Sequence, residues 1–454
     1  MFDRDFRGFL EILRHEGELV EATEPISLTL ELAARVDASE KNDNKAFLFR
    51  AVTDHTIPVA AGLYGSTRRH LLGLRMRNLS EFADLMEASL KAPVPPEISR
   101  RGSPPCQEIR LGDSYGVDRL PIPVHFPGDA GPYITSGVVT MCEGRRRNVG
   151  IYRIQVHGPR RLTIFTNRYH DGHRILDSTL TQGCPVDVAI SIGVDPAIFV
   201  SALWPCGPGI EEFGVAGALM KQPVVLTPAL TVDVAVPAHA EIVIEGKIQP
   251  GNEEIEGPFA DITGQITSSG KQPVVDVTAI TMRQNPIYHT VLGFNSREHF
   301  KSRNSEFWRD YQATGRVKLP ALQEALGNDY KIYFPPAARN FHAVVAFKKS
   351  NDDQPRCIIE AVFQSYRYLK RVIVVDDDID ITDHTQVEWA FATRVGRPEQ
   401  VVMNAGLGSR LDKSAKESGG QVIKMGIDAT VPMELRAEIL RTGLGEAGYV
   451  NAQK

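Results

Sequence analysis

This sequence lacks several things that would each point to a function. No apolar run is long enough to span a bilayer. Cysteine is scarce: Cys106, Cys142, Cys184, Cys206 and Cys357 are five in 454 residues, scattered, with no CxxC pair. That excludes a zinc ribbon and a disulfide framework and points to a reducing compartment. Neither sign of charge dominates, with 51 Lys+Arg against 56 Asp+Glu. The densest basic run, Arg145 to Arg147, reads as a solvated turn, so no nucleic-acid face is expected. The opening residues, Met-Phe-Asp-Arg-Asp-Phe-Arg, lack the apolar core of a signal peptide. Together these features predict a cytoplasmic protein with neither a membrane nor a nucleic-acid partner. Familiar catalytic motifs are missing too. There is no GxxxxGK[ST], no GxGxxG set between a strand and a helix, no HExxH and no GxSxG.

What is present is an ordinary globular composition, 42% apolar and 24% charged, on a chain long enough for two or three domains. Phe6, Phe9, Leu10 and Leu13 recur at helical spacing, with Gly17 placed to end the helix. A second helix is predicted from Ser27 to Val36, with Ser27 as its N-cap. The proline-rich stretch from Lys91 to Pro123 reads as a boundary. Short Val/Ile/Thr-rich runs follow, among them AEIVIEGKI at 240–248 and VVDVTAITM at 274–282, at spacings that favour a barrel or sandwich. Beyond Asn304 the pattern returns to α/β, with a strand at 341–347, a helix at 358–368 and the buried parallel-strand run RVIVV at 371–375. Asp383 with Gln386 resembles a capping box. The predicted division is an N-terminal α/β domain at 1–115, a split β-barrel at 116–303 and a C-terminal doubly wound α/β domain at 304–454.

Single segments say little about chemistry. Glu256 and Asp261 are five positions apart, which places them on opposite faces of a regular strand. Only a bend at Gly257-Pro258 could aim both at one point, and taken alone the pair reads as a polar turn. Arg153, ending NVGIYR, reads alone as a surface arginine, and His170 as a loop histidine. Asp376, Asp377 and Asp378 read as strand-end and turn residues.

Taken in order, however, these segments resemble the UbiD family of prenylated-flavin-dependent (de)carboxylases. The matching pieces are NVGIYR at 148–153, RYHDGH at 168–173, IEEFGVAG at 210–217, VPAHAEIVIEG at 236–246 and IEGPFADITG at 255–264. VIVVDDDIDITD at 372–383, VEWAFATRV at 387–395 and GIDAT at 426–430 complete a likeness that covers nearly the whole chain.

The resemblance implies reversible, non-oxidative loss of CO2 from an aromatic or heteroaromatic acid through a covalent adduct with prenylated FMN, a proton replacing the CO2. It makes Arg153, Glu256 and Asp261 the catalytic residues. Arg153 would pair with the substrate carboxylate, Glu256 would hold that guanidinium, and Asp261 would deliver the proton; exchanged roles for the two acids remain open. Asn148, His170 and Glu212 would bind Mn2+ (or Mg2+) beside the cofactor phosphate, with His173 and Glu211 as rival ligands and a K+ nearby. Ile151, Tyr152, Arg168, Tyr169 and Lys370 join Asn148, Arg153, His170 and Glu212 as expected cofactor contacts. The implied partners are a flavin prenyltransferase as cofactor supplier and a second copy of the chain, in a homodimer or larger homo-oligomer. The segment 294–300, with Asn295, Arg297 and His299, is expected to line the substrate pocket, which favours an indole-, pyrrole- or phenazine-type acid. A hydroxybenzoate- or cinnamic-type acid is the alternative, and a split-barrel flavin redox protein is the alternative from another class.

Overall fold

The computed structural model describes residues 2–99, 102–144, 146–166, 171–207, 209–267, 270–294, 296–298, 305–339, 341–409 and 411–436. The chain divides into two compact units, Met1–Asp310 and Tyr311–Lys454.

The first unit opens with the helix Phe6–His15, which buries Phe6, Phe9, Leu10 and Leu13. Asp5 caps it, accepting from the Gly8 N–H at 2.8 Å, and Gly17 at φ +67° turns the chain out of it. The second helix runs Glu31–Glu40, later than Ser27 suggests. The Ser27 hydroxyl accepts from the Thr29 N–H instead, and Leu30 sits at φ +66°, so a turn occupies the expected first helical turn. These helices accompany a four-stranded sheet in the order Leu19–Ala22, Ala46–Phe49, Val59–Ala61, Tyr288–His289. Its last strand comes from far along the chain. The proline-rich stretch is more than a boundary: Glu97–Ile98 pairs with Val225–Leu226, and Ile109–Arg110 pairs with Thr281–Met282. Two-residue strands are too short to show alternation in sequence.

The centre of this unit is a nine-stranded, antiparallel sheet. Its longest members, Ile242–Glu256 and Gly270–Met282, pair with each other through two register shifts, the second between Ile248 and Glu253. Such irregularities bend strands and increase twist, as a barrel-like layer requires. Val188, Ile190, Ile192, Ile242, Ile244 and Ile280 are among the residues of its core. The strand Arg146–Ile151 lies at one end of the pairing order and Tyr133–Ile134 at the other. The short strand Tyr133–Ile134 pairs in turn with Ile154–Gly158. The sequence between Asn148 and Gln155 thus passes from one end of the pairing order to the strand next to its other end.

The second unit holds a five-stranded sheet ordered Tyr330–Tyr333, His342–Phe347, Arg371–Asp376, Gln421–Ala429, Val401–Leu407. The three inner strands are parallel and both edge strands antiparallel. Val372 to Val375 are all buried, as an apolar run without alternation requires. The helix His384–Arg394 starts at Asp383, whose carboxylate accepts from the Thr385 N–H at 2.8 Å. Among the described residues no helix is long and apolar enough to cross a membrane.

Candidate active site

Arg153 follows the strand Arg146–Ile151, where the chain breaks before the strand Ile154–Gly158. Its guanidinium donates through one terminal nitrogen to Glu256 Oε2 at 2.6 Å and through the other to Asp261 Oδ2. It lies over two aromatic rings, Phe165 at 4.3 Å and Phe259 at 5.0 Å from the guanidinium carbon to each centroid. Glu256 is wholly buried and Asp261 nearly so. A guanidinium held by two carboxylates and packed against two aromatic rings has little freedom to reorient, which suits recognition of a planar anion.

The bend that sequence spacing left open is real. Gly257 sits at φ +94° before a cis peptide to Pro258, and the chain then pairs Phe259–Ala260 with Ile266–Thr267. Both carboxylates therefore reach Arg153 although an odd spacing separates them. Asp261 is one methylene shorter than glutamate and still makes the contact. Its other oxygen accepts from the Ile262 N–H at 2.7 Å, and Thr267 Oγ1 lies 3.2 Å from Oδ2.

Asn148 and Glu212 form a second group. The Glu212 carboxylate opens the helix Glu212–Met220 and accepts from the Val149 N–H at 3.2 Å, next in chain to Asn148. Asn148 Oδ1 accepts from the Tyr152 hydroxyl at 2.8 Å. The helix Asp171–Leu180 approaches so closely that a methyl group on Gly172 would strike the Tyr152 hydroxyl and lie 2.8 Å from Asn148 Oδ1. Burial pushes the Glu212 carboxyl up to about 7, with Asp171 and Glu211 adding like charge against the opposing backbone donors. Among the described residues no cationic side chain pairs with it. A buried amide oxygen and a half-buried carboxylate without a cationic partner among the described residues fit a hard divalent cation.

Glu211 pairs with Arg147, and His173 Nδ1 lies 3.2 Å from Thr166 Oγ1. Arg168, Tyr169 and His170 lie outside the described residues, as do Asn295 and His299. Among the described residues no three His, Cys, Asp or Glu side chains gather at one point. Ile151 ends its strand half-buried, and Arg297 reaches Glu306 at 3.6 Å. Lys370 belongs to the second unit, where its ammonium donates to Asp412 and Ser414 at 2.9 Å each.

Four site neighbours carry no signal in the motifs. Phe165, Tyr133, Gln155 and Asp129 each contact Arg153 or the segment 256–261. Gln155 could have been suspected, since it is two residues beyond Arg153 and so returns to the same face.

The structure thus gathers two groups on and around one antiparallel sheet, Arg153 with Glu256 and Asp261 in the first and Asn148 with Glu212 in the second. Three family descriptions cover the chain. Residues 10–89 match the 3-octaprenyl-4-hydroxybenzoate carboxy-lyase N-terminal domain, 97–295 its Rift-related domain and 311–429 its C-terminal domain. The chain belongs to the UbiD family of carboxy-lyases, and its activity is that of a decarboxylase. Among solved structures, the UbiD-class enzyme HmfF from Pelotomaculum thermopropionicum in complex with FMN is 33% identical, with a TM-score of 0.84 over 97% of each chain. An evolved dimeric form of that enzyme in complex with prFMN is 31% identical, with a TM-score of 0.81 over 98% of each. The closed form of vanillic acid decarboxylase from Sedimentibacter hydroxybenzoicus is 26% identical, with a TM-score of 0.83 over 100% of this chain and 99% of that one.

A buried acid elsewhere in this unit gives a prediction about stability. Glu298 accepts from the Gly62 and Leu292 N–H groups at 3.1 Å, yet burial outweighs these donors and pushes its carboxyl up to about 7. Its folded value lies above its unfolded one, so the folded state holds the extra proton. Stability is then expected to fall as pH rises from about 4.5 to about 7. In thermal melts across that window, Glu298→Gln should show a flatter dependence than the parent. An equal slope in the two proteins would contradict the assignment.

Proposed function

We propose that this chain binds prenylated FMN and uses Arg153, Glu256 and Asp261 to remove CO2 from an aromatic or heteroaromatic acid. The observation that carries the reading is the Arg153 guanidinium, held by two buried carboxylates and lying over two phenylalanine rings. Loss of CO2 from an sp2 carbon leaves an electron pair that no side chain can accept, and prenylated FMN, when bound, supplies that sink. The protein residues do the rest. Arg153 receives the substrate carboxylate, which competes with Asp261 for one terminal nitrogen. Glu256 keeps the other nitrogen and fixes the guanidinium in plane. Asp261, released from Arg153, is placed to carry the proton that replaces CO2. Asn148 and Glu212, completed by His170, would hold Mn2+ or Mg2+ against the cofactor phosphate, a task otherwise left to a Gly-rich loop. Ile151, Tyr152, Arg168, Tyr169 and Lys370 complete the cofactor contacts of this reading, with K+ nearby.

The substrate is an indole-, pyrrole- or phenazine-type acid in this reading, with phenolic acids next. Aromatic rings packed around this part of the fold suit a flat ring: Phe126 and Phe294 meet at 4.9 Å, and Phe259 lies against Arg153. The reading also includes domains at 1–115, 116–303 and 304–454, a cytoplasmic homodimer or larger homo-oligomer, and a flavin prenyltransferase as cofactor supplier.

The test is CO2 release from a panel of heteroaromatic, hydroxybenzoic and cinnamic acids by cofactor-loaded protein. Release from at least one class is expected, and a blank panel under conditions that load the cofactor would refute the reading. Arg153→Lys is expected to lower kcat/KM roughly 100-fold for any active acid, because an ammonium keeps the charge but cannot present the planar fork. A loss under threefold would remove Arg153 from the carboxylate-binding role.

A further inference from the structure

Four residues separate Glu256 from Asp261, and their polar backbone groups are held from elsewhere in the fold. The Gly257 N–H donates to Gln155 Oε1 at 2.8 Å. The Pro258 carbonyl accepts from the Ala130 N–H at 2.8 Å, and the Tyr133 hydroxyl lies 3.3 Å from it. The Ala260 N–H donates to Asp129 Oδ1 at 2.8 Å, while the other Asp129 oxygen accepts from the Phe126 N–H at 2.9 Å. Phe259 is held by its ladder with Thr267 and by its ring contact with Tyr133.

The centre of this clamp is one amide oxygen. Tyr133 and Gln155 stand directly opposite each other in the antiparallel register, so their side chains share a face. The Tyr133 hydroxyl donates to Gln155 Oε1 at 3.0 Å, and that same oxygen takes the Gly257 N–H. Both side chains are buried. Burial first, and then the nearby Glu256 charge, push the Tyr133 phenol well above its ordinary range, so it stays a proton donor. Arg153 lies two residues before Gln155 in the chain. Gln155 therefore ties the strand that follows the arginine to the segment that carries both carboxylates.

We propose that Gln155, seated by Tyr133, is a positioning residue that fixes Glu256 and Asp261 against Arg153, with Asp129 holding the far end of the segment. The effect on turnover rests on the decarboxylase reading; the geometry does not. A displacement of about 1 Å at reacting groups is enough to cost roughly 100-fold in rate. Gln155 and Tyr133 hold the backbone behind the two carboxylates, so kcat should change more than KM.

The experiment compares Gln155→Leu, Tyr133→Phe and the double variant with the parent. It reads kcat and KM in cofactor-loaded enzyme, and hydrogen exchange of the Gly257 amide without substrate. Gln155→Leu is expected to lower kcat roughly 10- to 100-fold with KM within about threefold, and to speed Gly257 exchange about tenfold. Tyr133→Phe, which leaves the Gly257 bond in place, should move both quantities less. The double variant should lose less than the sum of the singles, because Tyr133 acts in part through the Gln155 oxygen and in part through the Pro258 carbonyl. Parental kcat and parental Gly257 exchange in Gln155→Leu would overturn the proposal, as would losses that simply follow a fall in global stability. If Gln155→Leu does not fold, Tyr133→Phe alone decides by the same two readouts. If the parent releases no CO2 from any acid, the decarboxylase reading fails while Gly257 exchange still decides the positioning role.

Discussion

Glu256→Gln is expected to lower CO2 release by roughly 100- to 1000-fold while the protein folds and loads its cofactor. The substitution keeps the side chain's volume, so packing around this wholly buried position changes little. What changes is the partner of Arg153. Glu256 Oε2 lies 2.6 Å from one guanidinium nitrogen. A neutral amide cannot hold that cation as a carboxylate does, and in one of its two orientations it turns an N–H donor toward another donor. Arg153 is then left with Asp261 as its remaining carboxylate. The substrate must displace the stronger of the two contacts, and Asp261 is less readily released to carry a proton. The loss should therefore appear in kcat, with melting temperature and bound-cofactor absorbance near parental. Parental turnover in Glu256→Gln would remove the carboxylate pair from the mechanism.

The second large effect belongs to the C-terminal unit. Arg394, almost fully buried, donates to Asp376 at 3.0 Å and to Asp378 at 2.6 Å. Asp376 also accepts from the Val431 N–H at 2.7 Å, joining the ends of two parallel strands to the helix His384–Arg394. Burial pushes the Asp376 carboxyl up even with this arginine beside it. Arg394→Ala leaves that carboxylate with the Val431 N–H and the more distant Arg436 at 3.8 Å, and breaking a buried pair from one side costs about 3–5 kcal/mol. A fall in melting temperature on the order of 10 °C is expected. The double variant Arg394→Ala/Asp376→Ala should lose less than the sum of the singles, since both break one network. Additive losses would show that the two act independently. The acidic run 376–378 is thus a structural support at a strand end, in keeping with its sequence reading.

How much of this was legible depended on how local each cause is. The strand at Arg371–Asp376 could be read because burial on both faces writes an unbroken apolar run. The first helix could be read because its apolar stripe and the Gly17 that ends it lie within one short stretch of sequence. The start of the second helix could not. Glu31 takes the Ser27 N–H and Leu30 adopts a left-handed turn, which no periodicity announces. The convergence of Glu256 and Asp261 was visible only as one possibility among several. The bend that achieves it depends on Asp129, Tyr133 and Gln155, which approach from other segments. The family resemblance supplied Arg153, Glu256 and Asp261 in one step. It did not supply the clamp behind them, whose members stand outside the quoted motifs.

The most direct measurement is the intact mass of the cofactor released from this chain after co-expression with a flavin prenyltransferase. The account predicts the mass of FMN plus the prenyl addition, at near one per chain, and its loss or sharp reduction in Asn148→Ala and Glu212→Ala. Plain FMN alone, or no flavin, under conditions that load another member of the family would contradict it.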